Sequence, residues 1–376
     1  MNNRKKVYVG LSGGVDSSVT ALLLQNQGYD VVGVYMKNFD PLLFGEEFSE
    51  QCHWLEDQED AREIAKQLGI EFKIWNFEKE YYSQVIDYFF EGYAKGETPN
   101  PDVMCNRYIK FNVFLKKAIG EGADYIATGH YARLRQKRQI LNFGFLQKSK
   151  IKNSIKNELE FLRGKDKNKD QSYFLWTLTQ EQLKYVLFPL GDMDKSEVRK
   201  IASQYNLTTA KKPDSQGICF VGEIDITRLL KTRLPERRGK IVTTDGEDIG
   251  EHNGAYFYTE GQRKGLGIGG GIPYFVTTRD MKKNIVTVAK GFNNKNLYSA
   301  SLEASSMSWV SDSDQGLPVK CEAQIRYRQK AQPCLVSKSD KHGITVDFKE
   351  PQRAVTSGQS VVLYKGDLML GGGIIV

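Results

Sequence analysis

The chain contains no Cys-x-x-Cys pair, so it lacks the usual spacing of a structural zinc site or of a cysteine-ligated iron–sulfur cluster. It also lacks a long apolar run at its start. The first run, in "MNNRKKVYVGLSGG", breaks at Ser12-Gly13-Gly14. That is short of the about 7 to 15 residues of a secretory signal core and far short of the about 20 of a membrane span, so a cytoplasmic protein with no membrane partner is expected. An even cysteine framework is missing too. Five cysteines in 376 residues argue against a secreted disulfide scaffold and leave metal binding or thiol chemistry as the sharper options. No internal repeat is evident. Charge of one sign is only in modest excess, a net +7 compatible with a polyanionic partner and equally with good solubility.

What is present describes a globular protein of two or three domains, with 40% hydrophobic and 26% charged residues. "VYVGL" (7–11), "VVGVYM" (31–36), "FKIWNF" (72–77) and "YIAT" (125–128) read as buried strands. Between the second and third, Ala61, Ile64, Ala65 and Leu68 follow helical spacing, and Gly69 marks the stop. This alternation predicts an α/β domain with a doubly wound parallel sheet over residues 1–220, whose ligands sit beyond the carboxyl ends of the strands. After about residue 220 the chain turns rich in Gly, Thr and Tyr and in turn pairs such as Asp245-Gly246. A small β-rich domain over 221–280 and a C-terminal β-barrel over 281–376 are expected. A basic-then-acidic insert, 135–164, reads as a surface excursion.

"VYVGLSGGVDSSVTALLLQNQG" is a strand, a glycine turn and a helix. Glycines let a ligand approach the backbone, and the free N–H groups at the helix start favour an anion. The segment Gly10, Leu11, Ser12, Gly13, Gly14, Val15, Asp16 and Ser17 is therefore expected to bind phosphate, with Ser12, Ser17 and Ser18 adding hydroxyls. No lysine follows the glycines, which excludes the G-x-x-x-x-G-K-[ST] loop. "SGGVDSS" resembles the signature of the N-type ATP pyrophosphatases, the PP-loop superfamily. That resemblance implies ATP cleavage between the α and β phosphates, and places Asp16 near a magnesium-bound pyrophosphate. No protein metal site is expected.

Cys105 in "TPNPDVMCN" and Cys219 in "DSQGICF" each sit among polar and turn-forming residues. Two such cysteines in a chain with an activating loop suggest a nucleophile or sulfur carrier and its partner, provided that the fold brings them together. Asp102 then serves as a general base or orients the substrate. An ionised carboxylate beside a thiol opposes thiolate formation, so any contact requires an offsetting positive group. Cys52, Cys321 and Cys334 match no motif and read as structural; a metal reading of Cys52-His53 is the lesser alternative.

"ETPNPDVMCNRYIKF", "ATGHYAR", "GKDKNKDQSYFL", "DSQGICF" and "GQRKGLGIGG" occur in one order from near the N-terminus towards the C-terminus. In that order they resemble the bacterial tRNA-specific 2-thiouridylases, the MnmA family. The resemblance implies an adenine-nucleotide α-hydrolase-like domain and ATP-dependent replacement of the C2 oxygen of the wobble uridine by sulfur. Sulfur would arrive from a relay protein or cysteine desulfurase and be held as a persulfide on Cys219. Cys105 would either release hydrosulfide by forming a disulfide with Cys219 or resolve the persulfide after transfer. Asn100, Pro101 and Asp102 would meet the target base in the anticodon loop, and the backbone of Met36 and Gly129 would flank the adenine or ribose. The resemblance also assigns tRNA contacts to His130, Lys169, Asp170, Gln171, Arg326, Tyr327 and Gln359. At the last position this chain reads Ser-Gly-Gln where the family commonly has Pro-Gly-Gln.

Three other readings compete. A GMP-synthetase-like amidotransferase would share the loop but need an ammonia source, and no glutaminase region is evident. Thiolation through an iron–sulfur cluster predicts clustered cysteines. A nucleotide-sensing RNA-binding protein with a degenerate site is opposed by the intact Asp16, Cys105 and Cys219.

Overall fold

Strands buried on both faces are written as near-continuous apolar runs, and this is how β1 (Lys6–Gly10) and β2 (Asp30–Lys37) are built. In this computed structural model, residues 4–45, 48, 54–137, 158–214, 217–219, 221–222, 225–269, 271–311, 316–341 and 343–376 are described. Successive side chains of β1 point to opposite faces. Val7 and Val9 meet Ala21 and Leu24 of helix α1 (Val15–Asn26) and Ala61 and Ala65 of α2 (Trp54–Leu68). Tyr8, with Val32 and Val34, faces the opposite layer, where Ile109, Phe114 and Leu115 lie. Each fully buried valine here contributes about 1.5–3 kcal/mol relative to exposure.

Among the described residues this sheet has the order β3-β2-β1-β4-β7, with β3 at Glu71–Asn76, β4 at Tyr125–Ala127 and β7 at Val186–Leu187, all parallel. The expected doubly wound sheet is present. One detail differs: β3 is an edge strand rather than a buried one, so Ile74 is exposed while Trp75 is covered.

Two further strands, β5 (Ala132–Gln136) and β6 (Leu159–Arg163), form an antiparallel hairpin at the two ends of the insert. Residues 138–157 of that insert lie outside the described residues, as do Cys52 and His53. The central region forms a four-stranded sheet, β10-β11-β8-β9, from β8 (Gly239–Thr243), β9 (Asp248–His252), β10 (Tyr274–Asp280) and β11 (Ile285–Lys290).

The C-terminal region closes into a six-stranded antiparallel barrel. Its strands are β12 (Tyr298–Trp309), β13 (Val319–Gln324), β14 (Gln332–Ser339), β15 (Gly343–Arg353), β16 (Ser360–Lys365) and β17 (Leu368–Ile375), in the order β12-β15-β14-β13-β16-β17, with β17 returning to β12. The β5–β6 hairpin extends this sheet from β17, where Leu162 faces Leu368. No helix among the described residues is long and apolar enough to cross a membrane.

The barrel is pegged to the first domain by the aromatic run 172–176. Trp176 is fully buried and donates through Nε1 to Ser360 Oγ at 3.0 Å; Tyr173 donates to Ser360 O at 2.9 Å. Ser172 Oγ meets Tyr364 Oη at 3.1 Å. Gly372 lies so close that a side chain there would meet the Trp176 ring at 2.8 Å. Removing the indole leaves a cavity and an unpaired hydroxyl. Trp176→Ala is therefore expected to lower stability by about 3–5 kcal/mol in urea unfolding, and Trp176→Phe by clearly less.

Candidate active site

The turn between β1 and α1 is held open at its centre. Gly13 has φ +72°, and a Cβ there would stand 2.3 Å from Asp57 O, so the backbone passes where only glycine fits. Gly14 caps α1 without offering a side-chain acceptor, leaving the first-turn amides without a side-chain cap. Leu11 and Val15 are buried and anchor the turn on either side. The serine hydroxyls differ from expectation. Those of Ser17 and Ser18 donate to Gly14 O at 3.0 and 2.9 Å, and Ser12 bonds to Ser17 through both its amide and its hydroxyl. They brace the turn from within, because hydroxyls in the first helical turn reach back to the nearest free carbonyl.

Gly129, just past β4, crosses the first turn of α1. A Cβ there would lie 2.9 Å from Ser17 N. Met36, at the end of β2, turns its side chain into the core beside Gly10 and leaves its backbone at the strand end. A glycine cradle closed by a second glycine strand, over uncapped amides of a 12-residue helix, fits a nucleotide polyphosphate.

Asp16 faces a set of charges that the sequence did not announce. It accepts from Tyr131 Oη at 2.8 Å and from Lys195 Nζ at 2.7 Å. Lys195, at the start of α4 (Lys195–Gln204; α3 is Pro101–Met104), also reaches Asp214 Oδ1 at 2.8 Å. Asp214 accepts further from Arg199 at 2.7 Å and from Lys169. Burial alone would raise the Asp214 carboxyl, but the lysines outweigh it and hold it down at about 2. Among the described residues no three His, Cys, Asp or Glu side chains form a metal cluster. A magnesium ion here would rest on phosphate oxygens and water, with Asp16 its nearest carboxylate on the helix.

Asn100 caps α3, accepting from Val103 N at 3.3 Å, and Pro101 occupies the first helical position. Asp102 accepts through Oδ1 from the backbone N–H of Cys219 at 2.9 Å. Tyr81 donates to the carbonyl of the same residue at 2.6 Å. With both backbone groups tied down, Cys219 sits on a tight turn in which Ile218 and Gly222 bond reciprocally. Its thiol lies close enough to that of Cys105 for each to act on the other's titration. Both cysteines are free; Cys105 is buried and Cys219 partly exposed.

The offsetting positive group is Lys110. It contacts Cys219 and lies within electrostatic reach of Cys105 and Asp102. Burial pushes the Cys105 thiol well up. The Cys105 hydrogen bond, and after it Lys110, bring Cys219 down to about 7. Burial also raises Asp102, against the opposing pull of the Cys219 amide and Lys110.

The other expected tRNA contacts are divided between the first domain and its border with the barrel. His130 is buried between Phe111 and Phe188, with Nδ1 2.7 Å from Thr128 Oγ1, and burial, then Lys110, depresses its pKa. Asp170 bonds Arg163, Gly164 N and Ser172 N, while Gln171 accepts from Tyr131 N. Arg326 donates to Ala354 O at 2.8 Å, and the Tyr327 ring lies 4.5 Å from that of Phe174. Gln359 donates to Thr98 O at 2.7 Å, which docks the barrel just before Asn100. Cys321 and Cys334 face each other across β13 and β14, buried in the barrel core.

Tyr81, Lys110, Tyr131, Lys195 and Asp214 escaped the sequence reading. Lys110 and Asp214 lie inside motifs already singled out, and the Asp194-x-x-Glu197 capping box marks the helix start that presents Lys195. The roles of Tyr81, Tyr131 and Lys195 depend on partners more than a hundred residues away.

A parallel sheet carrying a glycine-turn phosphate cradle, a thiol pair at its edge and an appended barrel define a nucleotide-using α/β protein of the HUP class. Family models agree: "tRNA methyl transferase HUP domain" matches residues 5–223, "tRNA methyl transferase PRC-barrel domain" 227–290 and "Aminomethyltransferase beta-barrel domain" 299–375. The chain is 48% identical over 371 residues to the tRNA-specific 2-thiouridylase MnmA of Shouchella clausii, covering 98% of this chain and 96% of that one. It is 48% identical over 381 residues to the MnmA of Staphylococcus aureus strain RF122, covering 100% and 96%. The chain belongs to the MnmA family of tRNA-specific 2-thiouridylases. Among solved structures, a 4-thiouridine synthetase–RNA complex with bound ATP aligns over 58% of this chain and 45% of that chain, at 18% identity and a TM-score of 0.36.

The low Asp214 pKa gives a signed prediction. A depressed carboxyl contributes stability that is present above the ordinary carboxylate range and lost as pH falls through the folded value. The stability difference between wild type and Asp214→Asn should therefore be full at neutral pH and shrink as pH falls from about 4 to about 2. Urea unfolding across that range measures it.

Proposed function

We propose that the protein replaces the C2 oxygen of the wobble uridine of tRNA with sulfur in an ATP-dependent reaction. The observation that carries this reading is the hydrogen bond from the Cys219 amide to Asp102, which sets Cys219 beside the helical turn that leads into Cys105 although the two segments are far apart in sequence. Residues 1–220 form the catalytic part; the linking domain runs past the expected boundary at 280 to Lys290, because β11 pairs with β10 and β8, and the barrel that meets tRNA begins at Tyr298.

The turn Gly10 to Ser17, with the backbone of Met36 and Gly129, holds the nucleotide, and Asp16 and Lys195 position its phosphates and magnesium. ATP bound there supplies the adenylyl group that makes the uracil C2 oxygen a leaving group. Cys219 carries the sulfur. As the thiolate it attacks the outer sulfur of a donor protein's persulfide; a new S–S bond forms on Cys219 and the donor thiolate departs with the electrons of the broken bond. The outer sulfur then attacks C2, and the C2 oxygen leaves with AMP. Cys105 next gives up its proton and attacks the Cys219 sulfur. This forms a Cys105–Cys219 disulfide and leaves the outer sulfur, reduced by two electrons, on C2; a thiol reductant restores the pair.

Asn100 and Pro101 meet the base, which an anticodon loop presents more readily than a duplex. Asp102 acts by fixing Cys219. His130, Lys169, Asp170, Gln171, Arg326, Tyr327 and Gln359 shape the junction over which the tRNA lies.

Single-turnover thiolation of unmodified tRNA with ATP, magnesium and a persulfide donor tests this. Wild type should place sulfur in the wobble uridine, while Cys105→Ser and Cys219→Ser lose at least about a hundredfold in rate, as expected for loss of a covalent catalyst. AMP release without sulfur transfer by the wild type would retain the nucleotide site and refute the thiol assignment. Asp16→Ala should lower AMP formation sharply; unchanged AMP formation would refute its phosphate role.

A further inference from the structure

The segment Cys105–Phe114 is wound as a π-helix rather than an α-helix. In α winding the fifth residue on points away from the first. A π-helix bonds each residue to the fifth beyond it, so the two stack on one face, and such turns are frequent at functional sites. Lys110 is the fifth residue after Cys105. The winding thus sets Lys110 on the helix face of Cys105, next to the turn whose Asp102 holds the Cys219 amide, and its charge acts on both thiols.

We propose that Lys110 is a catalytic residue of the sulfur-transfer step: its ammonium lies against the Cys219 sulfur and holds it as the anion that takes up sulfur from a protein persulfide. This deepens the reading given above and rests on it. The charges around the sulfur require such a group. Asp102 approaches from α3 and Cys105 from the π-helix, Tyr81 holds the Cys219 carbonyl, and the His130 ring, from the segment after β4, lies within electrostatic reach of Lys110. Burial keeps His130 neutral, which leaves Lys110 as the cation of this group. Burial would lower the Lys110 ammonium as well, but Cys219, Cys105 and Asp102 raise it, so it stays charged where the sulfur needs it.

The barrel contains the contrasting case. Cys321 and Cys334 also form a buried thiol pair, with Sγ atoms 3.7 Å apart, but the charged neighbour acting on both is Glu322. The difference between the two pairs is the cation: Lys110 acts on the first beside Asp102, while the charged neighbours that act on the second are carboxylates.

The test is alkylation of the full-length protein with iodoacetamide at pH about 5 to about 10, each cysteine being followed by peptide mass spectrometry. In the wild type Cys219 should titrate near about 7. Lys110→Met should move that midpoint up by about one to three units, the effect of removing an adjacent opposite charge. Lys110→Arg should hold it within about half a unit, because the charge remains. Cys321 and Cys334 report folding, since they stay protected in a folded variant. An unchanged Cys219 midpoint in folded Lys110→Met overturns the proposal, as does a Lys110→Arg midpoint that moves as far. If Lys110→Met exposes the barrel thiols, folded Lys110→Gln replaces it with the same expected and overturning results. Absence of tRNA thiolation by the wild type would refute the reaction reading by a separate measurement.

Discussion

The hydrogen bond from the Cys219 amide to Asp102 is the constraint on which the site depends. It spans two segments more than a hundred residues apart and fixes a turn that would otherwise be an ordinary surface loop. Tyr81 completes the hold from the other side. A charge-assisted bond of this kind is worth roughly 1.5–3 kcal/mol, enough to favour the clamped turn over a loose one by more than tenfold. The carboxylate beside the thiols therefore acts mainly on backbone, and its charge is met by Lys110.

A second chain of charges runs from the nucleotide turn towards the same cysteine. Asp16, Lys195, Asp214, Lys169 and Arg199 form one connected set, with Asp214 five residues before Cys219. Lys195 is shared between Asp16 on α1 and Asp214 on the segment leading to Cys219. The glycine turn and the cysteine segment are thus linked through a single ammonium group, largely buried, where Coulomb forces are screened less than at the surface.

Much of this was legible in the sequence, for identifiable reasons. The parallel sheet could be read because β1 and β2 are apolar throughout, and the phosphate turn because glycine and serine recur between a strand and a helix. Cys105 and Cys219 stood out through their motifs. What could not be read was set by tertiary distance. Asp102 looked like a base and proved to hold a backbone amide. Ser17 and Ser18 looked like phosphate donors and proved to brace Gly14. The edge position of β3 is invisible to periodicity, because Ile74 and Trp75 read alike until their neighbours are known. Lys110 was hidden by its winding, since α-helical spacing would send it away from the thiols.

The β5–β6 hairpin leaves the first domain and joins the barrel sheet beside β17, the last strand of the chain. That pairing joins segments about two hundred residues apart, and long-range pairing of this kind slows folding and exposes a strand edge until it forms. Loss of β17 would uncover the β6 edge as well as open the barrel between β16 and β12, so one strand couples the first domain to the closure of the last.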